Sequence, residues 1–410
     1  MDSSSGEPSS RIFHHHGFRC YLVAQTCSTL SFQIISLAVS WQLYAMTHSA
    51  FMLGMIGLMQ FVPSVLLALP AGHLADQHNR KTLIIGGQTV ELLSVVGLAL
   101  LPLYAPGSTT LLLTLVFLFS LARAFESPSM TSLLPALLPA GLLPKGMATT
   151  QVFREAMVIA GPMAGGILYV ISPLAAYGTA AVAYVISLLF IRNLRYEREA
   201  VKALPMTFKN LFAGLDFIFK RKDVLGVISL DLFAVLLGGV TALLPIFAHD
   251  VLHTGAWGLG ALRAAPSVGA LITGIWISRN SFQKHTGMIM FGCVAGFGLA
   301  TLVFALSHNV VLSLLALVAL GGFDMVSMVI RGAMVQLDTP DEMRGRVNAV
   351  NSVFINTSNQ LGEFETGVMA SAIGAVPASV LGGIGTIVVV GLWMVMFPQL
   401  RRRQKLAETR

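Results

Sequence analysis

Long apolar stretches recur from one end of this chain to the other, and nothing else in it restricts the fold as strongly. Crossing a hydrocarbon layer about 30 Å thick takes roughly 20 helical residues, and inside that layer every backbone N–H and C=O has to find its partner within the protein. Stretches of that length fall at residues 17–46, 50–72, 83–104, 109–138, 145–171, 174–193, 223–249, 257–278, 287–307, 310–338, 344–371 and 377–398. Read as helices, they predict an all-α membrane protein with twelve transmembrane crossings, an even number that returns both ends to the same side. The composition agrees, since 55% of the 410 residues are hydrophobic, 11% are charged and the mean hydropathy is +0.76, a balance suited to lipid as the solvent.

The basic residues indicate which side that is. Arg123, Arg154, Arg263 and Arg331 fall inside spans; the other Lys and Arg residues sit in, or within a few residues of, the tails and even-numbered connections, and the odd-numbered connections hold none. By the positive-inside rule both termini are expected in the cytoplasm of a bacterial cell, with a multi-pass chain in its inner membrane. Residues 1–10 are polar and resemble no cleavable leader, so the first span is expected to direct its own insertion. This one-sided distribution accounts for the net charge of +7, which makes the lipid bilayer, and not nucleic acid, the expected partner. Cys20, Cys27 and Cys293 lie in apolar stretches without ligand spacing, which predicts no metal site and no disulfide. The chain offers no H-E-x-x-H, no P-loop and no Ser–His pairing within a span, so neither an enzyme nor an ATP-driven pump is expected and no cofactor is called for.

The expected organisation is a tail at 1–16, a six-helix bundle at 17–193, a linker at 194–222, a second bundle at 223–398 and a tail at 399–410. Eight basic residues lie between Arg192 and Lys222, and residues 207–219 place aromatic and aliphatic side chains so that they can form one helical stripe. That segment reads as a helix in the cytoplasmic interface, with a solvated linker as the alternative. An internal repeat supports the two bundles. Pro63-Ser64-Val65 recurs as Pro266-Ser267-Val268, preceded at matching offset by Gly57 or Gly260; Val152-Phe153 followed by Gly161 and Gly166 recurs as Val353-Phe354 followed by Gly362 and Gly367; and Phe125-Glu126 corresponds to Phe323-Asp324. Offsets of 198 to 203 residues describe pseudo-symmetric halves related by duplication.

The connection after the second span reads Gly72-His73-Leu74-Ala75-Asp76-Gln77-His78-Asn79-Arg80-Lys81. Gly72 permits close helix approach, Asp76 suits a helix N-terminus, Asn79 tolerates a left-handed turn, and Arg80 with Lys81 suits an anionic leaflet. The string resembles the cytoplasmic G-x-L-A-D-R-x-G-R-K motif of the major facilitator superfamily, departing from it at Gln77 and Asn79. The resemblance implies that Asp76 helps lock the cytoplasmic side through span eleven, a latch that the missing arginine weakens. In span five, Gly161-Pro162-Met163-Ala164-Gly165-Gly166 resembles the G-P-x-x-G-G element of proton-coupled exporters in this superfamily. Its physical reading is close helix packing at the glycines and a bend at Pro162.

Charges inside the hydrocarbon rarely persist without a partner or a function. The candidates are Glu91, Arg123, Glu126, Arg154, Glu155, Asp231, Asp324, Arg331, Glu363 and Glu365. Histidines stay near span ends, with His48, His249, His253 and His308 at outer connections, so a proton relay falls to carboxylates. Helical rise puts Glu126 and Arg154 at similar depth, which predicts a structural or gating ion pair. Asp324 and Arg331 share a face of span ten two turns apart, too far for direct contact, so each needs another partner. Glu363 and Glu365 point about 200° apart, so at most one faces the centre. Asp231 and Asp324 are the leading proton or substrate candidates, the alternative being that they pair with Arg331 or Arg263 and hold the bundle together.

The C-terminal half sharpens the resemblance. Leu230-Asp231-Leu232-Phe233, Phe323-Asp324-Met325-Val326, the string from Thr339 to Arg346, and Asn359 to Glu365 are similar to the enterobactin-exporter-like branch of the superfamily. That resemblance implies a monomeric antiporter that exports a siderophore or related amphipathic small molecule, driven by the proton gradient through alternating access. Arg123, Arg263 and Arg331 offer fixed positive charge to an anionic substrate. A multidrug efflux pump, or an importer or lipid transporter of the same fold, stands as the alternative.

Overall fold

The computed structural model describes residues 12–194, 215–280 and 285–404, and within them it is helical without a strand. Twelve long helices follow one another: α1 (His16–Thr47), α2 (Ala50–Gln77), α3 (Arg80–Tyr104), α4 (Thr109–Leu133), α5 (Leu143–Ile171), α6 (Pro173–Asn193), α7 (Lys222–Gly238), α8 (Gly255–Arg279), α9 (Thr286–Leu306), α10 (Val310–Asp338), α11 (Asp341–Ile373) and α12 (Ala375–Met396). Eleven of these stretches are long and apolar enough to cross a bilayer, α7 counting together with its continuation to Val251. The exception, α11, has 33 residues and thus ample length, but it carries Asp341, Glu342, Arg344, Arg346, Glu363 and Glu365. The expected interfacial helix falls largely on residues 195–214, outside the described residues.

Short capped connections keep consecutive helices antiparallel. Ser49, Ser108, Ser172 and Asn309 cap α2, α4, α6 and α10 by accepting backbone N–H groups, which would otherwise be orphaned at a helix start. One face of the molecule, here the terminal face, gathers the starts of α1, α3, α5 and α9 with the first and last described residues. There Lys81 Nζ reaches the carbonyls of Arg192 and Leu194 at 2.8 Å, and the amide of Gly287 donates to the carbonyl of Arg403 at 3.2 Å. The opposite, distal face carries the turns after α1, α3 and α5.

In the N-terminal half α1 packs on α5 and α6, and α3 on α4 and α6; the C-terminal half repeats this with α7 on α11 and α12, and α9 on α10 and α12. The halves meet along two seams, α2 against α11 and α5 against α8. The repeated glycines mark both. A Cβ on Gly57 would lie 2.7 Å from the carbonyl oxygen of Gln360, and one on Gly260 would lie 2.6 Å from that of Pro162. Likewise Gly166 abuts Ala256 and Trp257, and Gly367 abuts Gly54, while Gly161 faces Gln33 of α1 and Gly362 faces Leu236 of α7. Each repeated position therefore meets the symmetry-equivalent helix, with small residues letting the backbones approach. Pro162 lies within a helix that continues from Leu143 to Ile171, its carbonyl turned onto Gly260.

These contacts lie in the distal halves of α2, α5 and α8. Toward the terminal face α5 loses its cover, and residues 151–154 are all exposed, covering about 300° of the helix surface. The seam is thus closed distally and parts toward the terminal face.

Candidate functional site

Between the halves lies a cavity with about 760 Å³ of free space, part of it open to solvent. Its wall is apolar at Phe32, Leu53, Ile56, Val158 and Pro162, and Arg263 of α8 and Glu363 of α11 supply its charges. Arg263 donates to Ser36 Oγ of α1 at 2.8 Å, while its buried Nε has no hydrogen-bond partner among the described residues. Glu363 lies within coulombic range of Arg263, yet among the described residues the two form no ion pair. Glu365, two positions on, lines no part of this cavity.

In the C-terminal half Arg331 of α10 forms a buried ion pair with Asp231 of α7. Asp324, two turns before Arg331 on the same helix, has no hydrogen bond or ion pair among the described residues. It shares a pocket of about 250 Å³ with Asp231, Cys293, Phe297, Phe323 and Ser327. Arg331 thus pairs with Asp231, and Asp324 is left without a cation among the described residues. Of the alternatives for Asp231, pairing with Arg331 is the one found.

The N-terminal half holds the counterpart. Arg123 lies 3.8 Å from Glu91 of α3 and 3.9 Å from Glu126, with its guanidinium 4.0 Å above the ring of Phe32, a residue of the cavity wall. Glu126 accepts hydrogen bonds from Ser28 Oγ and Gln88 Nε2, both 3.1 Å, and Ser187 donates to Gln88 Oε1 at 3.0 Å. The expected Glu126–Arg154 pair is not formed. Glu126 is buried against Arg123, one turn back on its own helix, whereas Arg154 is exposed. Equal depth did not bring them into contact: α5 packs on α1, α6 and α8, while α4 packs chiefly on α2 and α3. Ser28, Gln88, Tyr184 and Ser187, which complete this cluster, were legible only as polar interruptions of apolar spans.

At the terminal face the motif after the second span is mostly helical, for α2 runs through Gln77 and contains Gly72 and Asp76. The Asp76 side chain lies outside what the structure describes. Asn79, not Asp76, caps α3, accepting the Lys81 amide at 3.0 Å, and its φ of −67° is extended, not the left-handed turn expected. Arg80 donates to the carbonyl of Ser132 at 2.6 Å, so Arg80 and Lys81 tie the start of α3 to the last carbonyls of α4 and α6, where cations complement the helix dipole.

The distal face is closed by residues assigned no role from the sequence. Tyr44 of α1 donates to Asp250 Oδ2, and Asp250 Oδ1 lies 2.5 Å from His249 Nδ1. The ring of His249 also meets those of His48 and Trp41, at 5.3 and 5.6 Å between centroids.

Comparison with known proteins follows this geometry. The chain is 27% identical over 393 residues to the enterobactin exporter EntS of Citrobacter koseri, covering 95% of this chain and 93% of that one. It is 28% identical, with the same coverage, to the enterobactin exporter EntS of Escherichia coli O1:K1. Among solved structures, a peptide transporter POT in complex with sulfate superposes with a TM-score of 0.75 at 12% identity, covering 98% of each chain. The nucleoside transporter NupG does so with a TM-score of 0.73 at 15% identity, covering 93% of this chain and 99% of that one. At such identities these two show the fold alone, that of major facilitator transporters. A family described as transmembrane secretion effector matches residues 9–409, and the chain belongs to that family of major-facilitator-type transporters.

Proposed function

We propose that this transporter exports a siderophore or related small amphipathic molecule across the bacterial inner membrane, by alternating access coupled to inward proton movement. The unpaired Asp324 beside the Asp231–Arg331 pair carries the reading. A carboxyl out of water and without a cation is the group best able to exchange a proton once per cycle. On that reading the exchange is felt through the pocket that Asp324 shares with Asp231: a charge gained by Asp324 disturbs the Asp231–Arg331 pair beside it and shifts α10 against α7. On the positive-inside reading both termini lie in the cytoplasm, and the cavity then parts toward the cytoplasm and is poised to load an exported substrate.

The substrate class follows from the wall. Arg331 is committed to Asp231, and Arg123 stands between Glu91 and Glu126, so Arg263 is the cation left to meet an anionic group of the ligand. The apolar wall fits the aromatic or aliphatic remainder of an amphipathic molecule, and the enterobactin-exporting relatives agree with a siderophore. Glu363 favours a second reading, in which a lipophilic cation binds as in multidrug efflux. The chain acts as a monomer with no cofactor. Uptake into inverted vesicles tests both readings: with the proton gradient imposed, an iron-free catecholate siderophore accumulates on the first and a lipophilic cation on the second. Accumulation of neither, or accumulation unaffected by collapse of the gradient, overturns the proposal.

A further inference from the structure

We propose that the distal face carries a transition-metal site, built from His48 of one half with His249 and Asp250 of the other, where a bound Zn²⁺ clamps the halves together. One ligand atom from each of these residues can be chosen so that all three lie within 4.8 Å of one another. Imidazole and carboxylate are ligands that Zn²⁺ favours, and bonds of about 2.0–2.1 Å put tetrahedral ligand atoms about 3.3 Å apart. Side-chain rotations that change these separations by up to about 1.5 Å therefore assemble three ligands and leave the fourth position to water. His48 and Asp250 are exposed, so an ion reaches them directly from solution.

The backbone is shaped around this cluster. His48 ends α1 in the left-handed conformation at φ 44°, where a non-glycine residue is uncommon, and this turns its ring back over Tyr44 at 5.5 Å between centroids. Residues Phe247–Val251 form a π-turn, a rare geometry that concentrates at functional sites and here presents both His249 and Asp250 to α1. Tyr44 holds the far oxygen of Asp250, the kind of outer partner that fixes a ligating carboxylate.

Because the ligands come from both halves, the site exists only while the distal seam is closed. An ion that binds one of two states shifts the population toward it. Zn²⁺ from the distal side thus holds the transporter in its terminally open state, a consequence that rests on the alternating-access reading above.

Binding and opening can be measured without transport, so their failure is separable from that of the export reading. The full-length protein, purified without a polyhistidine tag and carrying His14→Ala, His15→Ala and His16→Ala to remove a competing cluster, is titrated calorimetrically with ZnCl₂. One ion per chain is expected, with affinity falling at least tenfold in His48→Ala, in His249→Ala and in Asp250→Asn, the last retaining size and shape. Hydrogen exchange at residues 41–50 and 244–254 is expected to slow on adding ZnCl₂ to the parent and not to the His249→Ala variant. Affinities within twofold of the parent in the three variants overturn the site, and unchanged exchange in a zinc-loaded parent overturns the clamp.

Discussion

Removing Arg331 alone should harm the protein more than removing it together with its partner. The Arg331 and Asp231 side chains are only 6% and 11% exposed, so Arg331→Met strands a carboxylate among the packed residues of α7 and α10. Breaking a buried pair from one side destabilises by about 3–5 kcal/mol, whereas replacing both charges by apolar groups is often close to neutral. Asp231→Leu with Arg331→Met should therefore recover most of the loss, and with either single variant costing about 3–5 kcal/mol and the double close to neutral the coupling energy in a double-mutant cycle is about 6–10 kcal/mol. Equilibrium unfolding in mixed micelles, followed by tryptophan fluorescence, measures it. Single variants within about 0.5 kcal/mol of the parent, the range of ordinary surface substitutions, would refute the claim that this pair organises the C-terminal half. The double variant should fold yet fail to couple transport to the proton gradient, since Arg331 is gone.

Three further outcomes follow from the geometry. Gly57→Leu puts a side chain where even a Cβ meets Gln360 and Glu363 within 2.8 Å, and overpacking of about 1–3 kcal/mol should open the distal seam, read as faster labelling of a distal thiol probe. Asn79→Ala removes the cap of α3 and should lower stability by about 0.5–2 kcal/mol in the same unfolding assay without changing substrate affinity. Arg263→Gln should weaken binding of an anionic siderophore at least tenfold and leave a lipophilic cation unaffected or bound more tightly; the opposite pattern would favour the multidrug reading.

The spans were readable because hydrophobicity is a one-dimensional signal: α1, expected at 17–46, runs His16–Thr47, and α8, expected at 257–278, runs Gly255–Arg279. The repeat was equally readable, since duplicated glycines at the seams preserve close approaches that side chains would block. Ion pairing was readable only in part: Asp231 with Arg331 stood among the alternatives, whereas Glu126 with Arg154 did not form. Depth along a helix follows from residue number, but the direction in which a side chain points relative to other helices does not, and so Glu126 turned to Arg123 while Arg154 stayed exposed. The motif at Gly72 to Lys81 was read as a loop because its charges resemble one, whereas α2 continues through it to Gln77. The distal cluster was hidden for another reason: only a π-turn and a left-handed His48 bring those residues together.

The central claim is that Asp324 carries the coupled proton. Its most direct test is Asp324→Asn reconstituted into proteoliposomes, with substrate flux measured with and without an imposed proton gradient. The account predicts normal expression, substrate exchange between equal pools retained, and gradient-driven accumulation abolished; gradient-driven accumulation at the parent rate would contradict it.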